Sequence, residues 1–156
     1  MIREMKTERR DHMDMLEELQ KRLLAYDEKA SQVKKNIKGL AGIWGMGEDP
    51  RNHPCHEEFY NEIEVWTREF LGSQPDAGTV AEAAKMIIAA AAERREMDSF
   101  WFTYAIQAHA IPMISWMDAA SCRELAKFYD SLYTKLERLP VQRELYKKLT
   151  KAGKGK

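Results

Sequence analysis

The stretch LEELQKRLLAYDEKASQVKKNIKGL, Leu16 to Leu40, decides the fold class of this chain. Its apolar residues recur at alternating intervals of three and four, the spacing of one face of an α-helix. We call this face the seam: Leu16, Leu19, Leu23, Tyr26, Ala30, Val33, Ile37 and Leu40. The spacing predicts a helix from near Met5 to Lys38. At about 1.5 Å per residue such a helix is about 50 Å long, so part of it is expected to protrude from a compact domain.

A second helix is predicted after the glycine-rich loop that follows the seam. Pro54 suits the first helical position, with Asn52 or His53 as the cap, and Gly72 ends the helix. An apolar stripe at helical spacing marks its inward face: Cys55, Phe59, Ile63, Trp66 and Phe70. The stretch RNHPCHEEF, 51–59, is therefore interpreted first as the start of a helix.

Later helices are predicted from two Ser/Thr-x-x-Glu motifs, known as capping boxes. In a capping box the Ser or Thr side chain accepts from the backbone amide of the Glu, and the Glu side chain accepts from the backbone amide of the Ser or Thr. Thr79–Glu82 opens an alanine-rich helix that reaches at least Arg95, and Ser121–Glu124 opens a helix whose apolar face extends to Leu139. Pro140 then stops that helix and begins a short last one. The inward residues of the last helix are predicted to be Val141, Leu145 and Leu149.

No segment alternates apolar and polar residues as a β-strand does, so the fold class is all-α. We predict a helical bundle of five or six helices with a long N-terminal helix. A chain of 156 residues is enough for one core. The single helical domain is placed at residues 1–152, followed by a disordered basic tail at 153–156.

Charge and composition narrow the functional classes. Lysine plus arginine equals aspartate plus glutamate, 25 against 25, which disfavours nucleic acid as a partner. The start of the chain has no apolar signal segment, and the apolar stretch Phe100–Met117 is interpreted as a buried helix, with no membrane contact expected. Only two cysteines occur, so reduced thiols and a cytoplasmic location are expected.

The histidines and cysteine near Pro54 do not form a known metal motif. A zinc-protease helix needs a histidine four residues after His56, where Tyr60 stands, and no glutamate has the histidine three residues on that a di-iron bundle uses. No metal and no cofactor are therefore predicted. Cys55 in the first turn of a helix could be a reactive thiol with a lowered pKa, but its place on the apolar stripe favours core packing.

Gln107 and His109 stand as isolated polar residues in the apolar stretch Phe100–Met117. The simpler interpretation is that both are hydrogen-bonded within the core. The alternative is a small-molecule pocket formed by Trp66, Trp101, Tyr104 and His109.

Two functions follow from these patterns. The first is a non-enzymatic interaction or scaffold module that binds another protein, or a second copy as a homodimer, through the Leu16–Leu40 seam. The second is a ligand-binding or catalytic helical domain built around the pocket near His109. The length of the seam favours the interaction module.

Overall fold

A computed structural model describes residues 12–29, 31–32, 54–93, 107–133, 138 and 140–154. The predicted all-α helical bundle is confirmed. Within the described ranges, helix α1 covers 12–29, with 31–32 also helical. The later α-helices are α2 (Cys55–Gly72), α3 (Ala77–Glu93), α4 (Ala119–Leu132) and α5 (Pro140–Gly153).

Helices α1 and α2 form an antiparallel hairpin. Tyr26 stacks on Phe59 with ring centroids 3.9 Å apart, and at the other end of α1 the Trp66 indole donates a 3.0 Å hydrogen bond to the Met15 carbonyl. The contacts run in opposite order along the two helices, which fixes the antiparallel direction. The predicted stripe of α2 is buried and the helix ends at Gly72, both as expected.

The seam is part of the core wherever the structure describes it. Leu19, Leu23 and Tyr26 are buried, and Leu16 packs against them. The predicted protrusion of the first helix, and the seam from Val33 to Leu40, lie outside the described residues.

Both predicted capping boxes are wrong in the same way. An aspartate three residues before each Ser or Thr caps the helix: Asp76 accepts from the Thr79 amide at 2.7 Å, and Asp118 accepts from the Ser121 amide at 2.7 Å. Helix α3 therefore starts at Ala77 and α4 at Ala119, three residues earlier than capping by Thr79 and Ser121 would place them. The start of α2 also differs, because Pro54 is its cap residue rather than its first helical residue.

The carboxyl-terminal half packs as α5 on α4 and α4 on α3. Helix α4 does not continue to Leu139 but ends at Leu132, since Tyr133 has an extended backbone with φ −128° and ψ 128°. Helix α5 begins at Pro140 as predicted and includes Gly153, one residue past the predicted domain boundary at 152. Leu145 and Leu149 are buried, whereas Val141 is only half-buried and Gln142 lies inward instead.

The segment before α4 is not one continuous helix in its described part. After Gln107 the chain forms two short 3-10 helices, Ala108–Ala110 and Ile114–Trp116, separated by a turn at Pro112. This segment contacts α2, α3 and α5, so it joins the hairpin to the other helices. No helix in the described part of the chain combines the length and the apolarity that a bilayer span requires.

Candidate interaction surface

The residues around Pro54 pack into the hairpin. His56 is buried, and a 2.6 Å hydrogen bond joins its Nδ1 to the Tyr26 hydroxyl oxygen. Cys55 is buried beside them, and burial raises the pKa of its thiol despite the nearby Lys29, which lowers it. A raised pKa keeps the thiol protonated at neutral pH, which favours the packed-core interpretation over a nucleophile. His53 lies outside the described residues.

Cys122 lies in a similar environment in the first turn of α4. It is fully buried and free, and burial raises the pKa of its thiol. Across the described ranges, no three His, Cys, Asp or Glu side chains lie close enough together to hold a metal ion.

The proposed pocket residues are only partly described. Trp66 faces α1, where its indole N–H donates a hydrogen bond to the Met15 carbonyl. Its ring also stacks on Phe70 of the same helix, with the ring centroids 4.7 Å apart. His109 contacts another part of α2: its Nε2 donates a 3.0 Å hydrogen bond to the Tyr60 carbonyl, and burial lowers its pKa. Trp101 and Tyr104 lie outside the described residues, so the pocket stays a prediction.

Gln107 is the centre of a buried hydrogen-bond network that the sequence did not reveal. Its amide donates to the Tyr133 hydroxyl at 2.8 Å, and its carbonyl oxygen accepts from the Tyr129 hydroxyl at 2.9 Å. Tyr133 in turn donates to the Ile88 carbonyl at 3.2 Å. Burial raises the pKa of Tyr129 far above its ordinary value, so this hydroxyl stays protonated and remains a donor.

A buried arginine extends this network toward α5. Arg138 forms a 2.6 Å ion pair with Asp130, donates a 3.0 Å hydrogen bond to the Tyr133 carbonyl, and lies 4.2 Å from the centroid of the Tyr146 ring. Asp130 also accepts from the Tyr146 hydroxyl at 2.7 Å. Among the described residues, the Arg138 Nε is the one atom of this network that is buried without a hydrogen-bond partner. The other polar groups are paired with each other within the fold, so we interpret the network as structural.

An open groove of about 570 Å³ runs along the outer junction of α1 and α2. We call it the acidic groove, and its charged and exposed apolar lining consists of Glu18, Arg22, Glu58, Glu62, Val65 and Glu69. Arg22 bridges the two helices, with 2.7 Å to Glu18 and 2.8 Å to Glu62. In the described part of the chain, Glu58 and Glu69 form no ion pair, so the groove has an excess of carboxylates.

Exposed apolar side chains occur at two places on the hairpin. Val65 lines the acidic groove and is 51% exposed between carboxylates. Met13 and Leu24 are exposed on α1, but Leu24 follows Arg22 by two residues and so projects about 200° away from it. They lie on the opposite flank of α1 and are not part of the groove.

The sequence interpretation did not identify the acidic groove. The sequence does contain part of the pattern, because residues at helical spacing on α2 form one exposed face: Glu58, Glu62, Val65 and Glu69. The partner helix α1 supplies Glu18 and Arg22, and their position depends on the antiparallel pairing.

Comparison with known proteins found no matching family model, no matching curated protein and no matching solved structure.

Proposed function

We propose that this protein is a non-enzymatic interaction module that binds a basic segment of a partner protein in the acidic groove. The supporting observation is the groove itself: an open cleft of about 570 Å³ with four carboxylates, one guanidinium and a half-exposed valine. The proposal includes a cytoplasmic location, in keeping with two cysteines that are not joined in a disulfide.

The charge of the groove determines the chemistry of its partner. Arg22 pairs with both Glu18 and Glu62 and so neutralises one of their two negative charges, whereas Glu58 and Glu69 at the ends remain available to a cation. Carboxylates on a surface attract lysine and arginine side chains and orient the approach of a basic partner more than they add affinity. Val65 between them offers an apolar contact for the stem of such a side chain.

The groove replaces the seam as the proposed contact surface. Leu19, Leu23 and Tyr26 are covered by the chain's own core, so a partner could reach them only by opening the hairpin. The acidic groove requires no such rearrangement, because its carboxylates are already exposed.

Site-specific photocrosslinking tests the proposal. A photoreactive amino acid at position 65 should give one discrete adduct in cells that produce the protein, and the Glu58→Lys/Glu69→Lys variant should lose it. The same photoreactive group in place of Lys127, which is exposed on α4, is the control and should give no adduct. No adduct at position 65, or one that does not depend on the two glutamates, would refute the proposal.

A further inference from the structure

We propose that the basic segment is helix α5 of a second copy of this chain. This inference rests on the proposed function of the acidic groove and names its partner. Helix α5 presents a row of cations with the same length and spacing as the carboxylates that α2 contributes to the groove.

The cations of α5 form one exposed stripe. Four exposed cations lie within about 80° of one another around the helix axis, at 100° per residue: Arg143, Lys147, Lys151 and Lys154. We call them the basic stripe. The one ion pair of α5 in the described ranges joins Glu144 to Lys148 at 3.2 Å, on the neighbouring face, and leaves the stripe unpaired.

The spacing of the two rows matches. On α2, Glu58, Glu62, Val65 and Glu69 follow one another at intervals of four, three and four residues. On α5, Arg143, Lys147, Thr150 and Lys154 have the same intervals. Each row is about 16 Å long.

This pattern allows three cations to face three carboxylates. In a parallel packing, Arg143, Lys147 and Lys154 oppose Glu58, Glu62 and Glu69. In an antiparallel packing the intervals still match, but only the two end pairs join a cation to a carboxylate. Val65 faces Thr150 in the parallel packing and Lys147 in the antiparallel one, so the parallel packing is the more complementary.

The contact is head-to-tail, since the groove of one copy binds the stripe of the next. Such heterologous contacts produce rings or chains of subunits. The chain has no net charge, with 25 basic and 25 acidic residues, so no overall repulsion keeps two copies apart. Exposed ion pairs are individually weak, and association should therefore depend strongly on salt.

Charge reversal at matched positions tests this contact. The groove variant Glu58→Lys/Glu69→Lys and the stripe variant Arg143→Glu/Lys154→Glu change the end pairs in either packing direction. Analytical ultracentrifugation of the wild type at low ionic strength should show concentration-dependent association, which is lost at about 1 M salt. Each variant alone should associate about tenfold more weakly or not at all.

The mixture of the two variants gives the sharpest result. Unlike variants are complementary at both contacts, because the unchanged groove of the stripe variant meets the unchanged stripe of the groove variant and the two reversed surfaces meet each other. The equimolar mixture should therefore regain salt-sensitive association into rings or chains of alternating variants, with a mass above that of the 18.1 kDa chain. The control Glu82→Lys/Glu124→Lys makes the same charge change at exposed positions outside the groove and should associate as the wild type does. Circular dichroism of each variant checks that the helices are intact.

Two results would overturn the inference: a wild-type chain that is monomeric at every concentration at low salt, or a mixture of folded variants that stays monomeric. A monomeric wild type with a glutamate-dependent adduct at position 65 would mean that the groove binds a different basic protein. The proposed function would then survive and the second copy would not be its partner.

Discussion

Replacing Gln107 by leucine should destabilise the protein by about 1–3 kcal/mol. The Gln107 side chain is fully buried. Its amide NH₂ donates to the Tyr133 hydroxyl, and its carbonyl oxygen accepts from the Tyr129 hydroxyl. Losing two net hydrogen bonds costs about 1–3 kcal/mol, and leaving the Tyr129 hydroxyl without this acceptor adds about 1 kcal/mol. Leucine has a similar volume, and its greater apolar burial offsets about 1 kcal/mol.

The companion variant Tyr129→Phe isolates the bond between the two residues. Its expected cost is about 1–2 kcal/mol, because the Gln107 carbonyl oxygen loses its donor in the core. Gln142 also hydrogen-bonds Tyr129 and limits the loss in Gln107→Leu. The double variant removes both partners, so its cost should fall short of the sum of the single costs by about 1 kcal/mol.

Urea unfolding, followed by tryptophan fluorescence and by circular dichroism, measures these free energies in all four proteins. The expected loss in Gln107→Leu corresponds to a Tm lower by about 2–12 °C. The reasoning would be refuted if Gln107→Leu cost less than about 0.5 kcal/mol or if the two single costs were additive.

Three further predictions concern the hairpin, a helix cap and a thiol. Leu23→Ala, at a buried position, should lower the free energy of unfolding by about 2–4 kcal/mol. Leu24→Ala, at the next position, which is 50% exposed, should lower it by less than about 0.5 kcal/mol. Equal losses for the two variants in urea unfolding would contradict the orientation of α1. Asp76→Ala should cost about 1 kcal/mol at pH 7. The amide hydrogen bond of the cap lowers the pKa of Asp76 in the folded protein. Its contribution to the free energy of unfolding is therefore complete above the pKa of the unfolded chain, about 4, and is lost as the pH falls through the lower pKa of the folded state. Thermal unfolding of both proteins from pH 7 to pH 2.5 should therefore show their difference shrinking on acidification, and a constant difference would exclude capping by the carboxylate. Cys55 should react with a thiol reagent much more slowly in the folded protein than in urea; rapid labelling of the native thiol would show that it is accessible.

The helical class followed from the sequence because apolar spacing is a local property. The stripe from Cys55 to Phe70, the end of α2 at Gly72 and the start of α5 at Pro140 depend only on neighbouring residues. The same spacing cannot distinguish a seam that packs on its own chain from one that packs on a partner. Only the contacts of Tyr26 with Phe59 and of Trp66 with Met15 make that distinction.

The capping errors have a local cause. In Asp76-x-x-Thr79-x-x-Glu82, two possible boxes overlap, and the same overlap occurs at Asp118-x-x-Ser121-x-x-Glu124. Aspartate is at least as good a cap as serine or threonine, and capping at the upstream aspartate adds three helical residues. The earlier start is therefore the more stable choice in both helices.

The buried network could not be predicted from sequence. Gln107 and Tyr129 are 22 residues apart, and Gln107 and Tyr133 are 26 apart. Their hydrogen bonds form only after the 3-10 segment and the end of α4 come together. The early end of α4 belongs to the same arrangement, because the extended backbone at Tyr133 coincides with burial of its side chain beside Gln107.

Carboxyl footprinting tests the central claim, that the acidic groove is the contact surface, most directly. A water-soluble carbodiimide with an amine labels exposed carboxylates, and mass spectrometry gives the labelling rate at each residue. As association increases with concentration at low salt, labelling should slow at Glu58 and Glu69, while Glu82 and Glu124 keep their rates. If association changed the labelling rate of all four residues by the same factor, or of none, the account would be contradicted.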